Sequence, residues 1–133
     1  MNLESVLERD FEVVSPDMTL GEMVSVISVS HRNSFPVVDE RGMLVGIVEL
    51  DNVRNIMFRP ELYNRYKVRK IMVTPEVKVS SATPMTEVMR LFDETKAWKM
   101  PVVDEEGRYL GFISKSAIFN SYREVLNRTF IGD

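Results

Sequence analysis

One histidine, His31, and no cysteine leave the chain poorly equipped for catalysis. Thiolate nucleophiles, disulfides and cysteine metal sites are excluded, and so are two-histidine relays and paired-histidine metal sites. The run Asp104-Glu105-Glu106 offers carboxylates for acid–base work, but the same residues leading into Gly107 are ordinary turn formers. No nucleophile stands beside an evident base, so the chain reads as non-catalytic. Binding chemistry is better represented. Trp98 offers a flat face that can stack on a base or seal an interface. The hydroxyl of Ser114 suits the start of a helix, and Lys115 follows it with a charge. Tyr63, Arg65, Tyr66 and Lys67 alternate aromatic and basic groups, a pattern for RNA stacking or for a linker packed on the body.

The elements that must position these residues follow from a duplication. Shifted by 65 positions, the chain matches itself without a gap. Pro36-Val37-Val38-Asp39-Glu40 returns as Pro101-Val102-Val103-Asp104-Glu105, Gly42 as Gly107 and Gly46 as Gly111. Ser15 returns as Ser80 and Glu22 as Glu87. Leu20, Met23, Val24 and Ile27 repeat at helical spacing as Met85, Val88, Met89 and Phe92. Chance similarity of two helices would not carry turns and strands along at the same offset.

Each copy therefore predicts one β-α-β-β-α unit. A short extended segment (Glu12–Val14; Val77–Val79) precedes a helix starting near Thr19 or Pro84. Thr19-x-x-Glu22 is a capping box, and Pro84 fits a first helical turn, where its missing N–H costs nothing. Strands Phe35–Val38 and Met100–Val103 lead through glycine turns into strands Leu44–Val48 and Tyr109–Ile113. Helices Leu50–Met57 and Lys115–Leu126 close the copies, the second with Ile118, Tyr122 and Val125 on one face. Copy one is expected over residues 1–58, a linker holding Pro60 over 59–66, and copy two over 67–133. About 60 residues bury too little surface alone, so the two copies are expected to share a core about a pseudo-twofold axis.

The totals agree. Hydrophobic residues make up 44% and charged residues 28%, an ordinary globular mixture. Seventeen Lys and Arg against 20 Asp and Glu give a net charge of −3, which argues against a nucleic-acid partner. No apolar run approaches the ~18 residues of a membrane span, and the N-terminus lacks a signal-peptide core. The nine methionines read mostly as core.

This duplicated unit resembles the CBS domain, and two in tandem resemble a Bateman module: an α/β (α+β) pair of β-α-β-β-α repeats. The resemblance rests on Val68-Arg69-Lys70-Ile71-Met72-Val73-Thr74-Pro75 leading into copy two, and on the Pro-Val-Val-Asp-Glu-x-Gly turn and Gly-x-[Val/Ile] strand in both copies. More narrowly, Glu87–Val125, especially Trp98–Val103 and Gly111–Arg123, and also Arg54–Tyr63, are similar to the cytosolic tail of bacterial ClC-type chloride channels or transporters.

CBS pairs commonly bind adenine nucleotides between repeats. The resemblance implies a phosphate at a helix-start hydroxyl, a ribose at an Asp or Asn, and apolar strand residues over the adenine. Here Gly46–Asn52 puts Glu49 at the hydroxyl position but keeps Asn52 for ribose. Gly111–Ala117 keeps Ser114, with Lys115 beside it, but offers Ala117 in place of the ribose acceptor. Val13, Pro36 and Val37 in copy one, and Val79, Trp98 and Pro101 in copy two, are the implied adenine contacts. Ser114 and Asn52 serve equally as caps without any ligand. The implied ligand is AMP, ADP or ATP; no cofactor is required and no carboxylate cage for Mg2+ is visible.

Three readings follow. The chain is a non-catalytic regulatory module that forms a homodimer and acts on an attached membrane transporter, a ClC-type one by resemblance, from the cytoplasmic side. Alternatively it is a structural dimerisation element with empty clefts, or the regulatory pair of a soluble enzyme such as an inosine-monophosphate-dehydrogenase-like host.

Overall fold

The computed structural model describes residues 2–130. They form two compact units. The first holds residues 2–9, 76–106 and 110–130; the second holds 10–75 and 107–109. The compact units therefore do not coincide with the sequence copies: residues 2–9 belong with copy two, and the turn 107–109 belongs with copy one.

In the second unit, helix α1 (Leu20–Val29) begins at the expected capping box: Glu22 N–H donates to the Thr19 hydroxyl at 3.1 Å, and Thr19 N–H donates to the Glu22 carboxylate at 3.1 Å. Strands β1 (Ser34–Val38) and β2 (Leu44–Glu49) form an antiparallel pair in which Ser34 faces Glu49 and Val38 faces Leu44. The extended segment expected at Glu12–Val14 is reduced to one parallel bridge, Val14 to Val37. Met23, Phe35, Val37, Val48, Val53 and Val68 pack together as the interior. Gly42 turns the hairpin at φ +83°, a conformation glycine adopts without strain.

Helix α2 covers only Leu50–Val53, shorter than the expected Leu50–Met57. Beyond it the backbone bonds are mixed: Ile56 N–H donates to Val53 O and Arg59 N–H to Ile56 O, three residues back, while Met57 N–H donates to Val53 O, four residues back. The Met57 carbonyl accepts the Tyr63 hydroxyl, and Pro60 brings no N–H to extend the helix. A 3-10 turn (Pro60–Leu62) and helix α3 (Val68–Ile71) follow. The join packs on α1, since Leu20 N–H donates to Tyr66 O at 2.8 Å and Gly21 N–H to Tyr63 O at 3.2 Å. A Cβ on Gly21 would stand 3.0 Å from the Tyr63 Cβ, so a side chain there would push Tyr63 back by a few tenths of an ångström. The join is thus held to α1 through its backbone and through Tyr63, while Arg65, Tyr66 and Lys67 are exposed.

In the first unit, β3 (Val79–Ser80) runs parallel to β4 (Lys99–Val103), which lies between β3 and β5 (Tyr109–Ser114). Helix α4 (Met85–Thr95) starts one residue after Pro84, which sits just outside the helix and not within its first turn. Val88 and Phe92 are fully buried, as the apolar spacing requires. The core also takes Leu3, Val6, Met100, Val102, Ile113 and Ile118. Helix α5 runs Lys115–Phe130, past the expected Leu126, because no Gly or Pro interrupts it. Of the three residues sharing a face of α5, Ile118 is buried, whereas Tyr122 and Val125 are exposed.

Candidate functional site

Ser114, at the end of β5, is the residue expected to meet phosphate, whereas Glu49, at the end of β2, puts a carboxylate where the family pattern has a hydroxyl. In the first unit, Ser114 ends β5 and caps α5: its hydroxyl accepts the Ala117 N–H at 3.1 Å. The same hydroxyl donates to the Glu8 carboxylate at 2.9 Å. Lys115 N–H donates to the Trp98 carbonyl at 2.9 Å, and the Lys115 ammonium lies 5.8 Å from the centre of the Trp98 ring. Ser114, Lys115 and Trp98 therefore do come together, with Trp98 79% exposed. Glu8 is the residue that sequence reasoning missed. It lies far from copy two in sequence, and only the packing of residues 2–9 on the first unit brings it there.

In the second unit, the Ser34 hydroxyl donates to the Glu49 carboxylate at 2.6 Å. Both helix-start corners thus carry a Ser–Glu pair, although the serine and glutamate exchange places. A carboxylate at each corner repels phosphate. The cavity beside Glu49, of 220 Å³, is also lined by Asp51, which is ion-paired with Arg54.

Asn52 caps as well: its side-chain oxygen accepts the Glu49 N–H at 3.3 Å. Its amide N–H groups remain as donors, so the oxygen-acceptor role expected toward ribose is partly taken. Asn52 lines a cavity of 330 Å³ with Ile56, Tyr66, Lys70, Ile71 and Val73. The cavity combines an aromatic ring, aliphatic walls, an amide and one ammonium, the mixture that suits a flat polar ligand. Lys70 forms no ion pair among the described residues. Tyr66 and Lys70 were not marked as ligand contacts. The only sequence signals were the aromatic–basic run at the join and the segment leading into copy two.

The apolar residues implied as adenine contacts differ in exposure. Val37 and Val79 are buried in their clusters, and Pro36 and Pro101 are buried within β1 and β4. Val13 is 47% exposed beside the Val14 bridge. The described residues contain no group of three or more His, Cys, Asp or Glu suited to a metal, and none of their helices is long and apolar enough to cross a membrane.

The CBS domain family matches the chain twice, over residues 3–59 and 68–124. The chain belongs to the CBS domain family and is a tandem pair, a Bateman module. It is 30% identical over 111 residues to inosine-5'-monophosphate dehydrogenase of Methanocaldococcus jannaschii, covering 84% of this chain and 21% of that enzyme. The chain thus spans about a fifth of the length of that relative. Among solved structures it is similar to CBSX2 in complex with AMP, with a TM-score of 0.75 and 20% identity over 94% of this chain and 98% of that one. It is also similar to the cytosolic domain of the Mg2+ channel MgtE in complex with ATP, with a TM-score of 0.74 and 26% identity over 90% of this chain and 48% of that one.

Proposed function

We propose that the chain is a non-catalytic sensor of adenosine-type ligands that regulates an attached host protein. The observation that carries this reading is the Asn52 cavity, where Tyr66 can cover a base, the Asn52 amide can meet a ribose and Lys70 supplies one positive charge. One ammonium, set against the carboxylate of Glu49 nearby in the chain, suits adenosine or AMP better than ATP. AMP and ATP in two similar structures support the ligand class. Binding would regulate by favouring one arrangement of the module over another. In a thermal-shift measurement AMP should raise the melting temperature of the protein by mass action. No shift at millimolar AMP and adenosine would remove the sensing role.

The module is proposed to act as a homodimer. Phe119, Tyr122, Val125 and Leu126 leave α5 with an exposed apolar face that a second copy can cover. Light scattering should give twice the monomer mass, and Leu126→Glu should return the monomer; a wild-type monomer at high concentration would contradict this.

The host is proposed to be a membrane transporter, and more narrowly a ClC-type one, on the resemblance of Trp98–Val103 and Gly111–Arg123. The module would then lie on the cytoplasmic side. The similarity to the MgtE cytosolic domain supports a transporter in general. The dehydrogenase relative favours a second reading, regulation of a soluble enzyme. The complete reading frame around residues 1–133 decides: apolar spans support the transporter, and a dehydrogenase barrel supports the enzyme.

A further inference from the structure

The second unit holds another cavity, of 660 Å³, at the opposite end of the β1–β2 hairpin from Ser34 and Glu49. Its size falls within the roughly 300–1,000 Å³ of small-molecule pockets. The Ser15–Asp17 loop, the Asp39–Arg41 turn, Val45 of β2, and Arg69 and Met72 line it.

Its charges are partly committed. Arg69 is ion-paired with Asp17, and that guanidinium holds the Asp17 carboxyl below the ordinary range. The Asp39 carboxylate accepts the Arg41 N–H at 2.9 Å and the Met43 N–H at 3.0 Å, which fixes the turn. The Glu40 carboxylate and the Arg41 guanidinium, adjacent on that turn, form no ion pair among the described residues. Pro16, Val45 and Met72 supply apolar wall.

The cavity thus offers one free anion, one free cation and an apolar surface. Three carboxylates against two guanidiniums make it a poor receptor for a polyphosphate. We propose that this cavity binds a zwitterion of the α-amino-acid type, as a free amino acid or short peptide. Arg41 takes its carboxylate, Glu40 takes its ammonium, and its apolar side chain lies against Val45 and Met72. The site is separate from the Asn52 cavity and does not depend on it.

The test is a backbone-amide NMR titration of the whole chain with L-leucine, L-methionine and Leu-Leu, with acetate and AMP as controls. The expected result is saturable shifts centred on Asp39–Met43 for the zwitterions. They should weaken at least tenfold in both Glu40→Gln and Arg41→Gln and persist in Asn52→Ala. Both variants lie on an exposed turn, and the dispersion of their own spectra reports whether they fold. Absence of saturable shifts with all three zwitterions up to 20 mM (about twenty times the ~1 mM of a weak metabolite site) would overturn the proposal. So would equal shifts from acetate, or shifts that persist in both turn variants. Loss of AMP binding in Asn52→Ala with zwitterion binding intact would separate this site from the proposed nucleotide sensing.

Discussion

At the scale of single residues, two Ser–Glu contacts define what the helix-start corners tolerate. Ser114 to Glu8 and Ser34 to Glu49 place a carboxylate where a phosphate would be expected. Replacing Glu8 by Gln together with Glu49 by Ser should raise ATP affinity about tenfold, equivalent to ~1.4 kcal/mol, in a calorimetric titration. An unchanged ATP affinity would show that the two carboxylates do not govern phosphate access. Another carboxylate reports on acid stability. The Ser30 hydroxyl, donating at 2.6 Å, is the main cause holding Glu12 below its ordinary 4.5. A lowered folded value means that the contribution is present above the unfolded value and is lost as pH falls through the folded one. Ser30→Ala should therefore reduce the fall in urea midpoint between about pH 5 and pH 3, with little change in slope above pH 6. Ser114 and Asn52 were legible as polar residues at helix starts. Glu8 was not, because nothing local ties residue 8 to residue 114.

At the scale of elements, periodicity carried far. The stripes Leu20–Met23 and Val88–Phe92 and the hairpins turned by Gly42 and Gly107 follow from spacing and turn chemistry. The length of α2 did not follow: residues 54–58 continue it only as turns, and no local signal such as Gly or Pro marks its end at Val53. The exposure of the α5 face beyond Ile118 was not legible, because helical spacing shows that apolar residues share a face but not whether the chain itself covers it. The C-terminus of α4 was also illegible, because Lys96 takes a left-handed conformation, φ +61°, where glycine is usual. Lys96→Gly should stabilise the protein by up to about 1 kcal/mol, read as a higher urea midpoint. Conversely, Thr19→Ala removes the observed capping box and should cost about 1 kcal/mol.

At the scale of the whole molecule, the repeat was visible at a fixed offset, and the family match falls on both copies. The compact units are cut differently, because residues 2–9 and 107–109 each join the unit of the other copy. Each unit has its own apolar cluster, so Phe35→Ala in one and Phe92→Ala in the other should each cost about 3–5 kcal/mol in denaturant unfolding. The most direct test of the sensing account is isothermal titration of adenosine, AMP and ATP into the wild-type chain, Asn52→Ala and Lys70→Ala. Saturable binding of adenosine and AMP ahead of ATP is expected, with both ligands weakened by Asn52→Ala and only AMP weakened by Lys70→Ala. Absence of heat with all three ligands at millimolar concentration, or affinities that neither substitution alters, would contradict it.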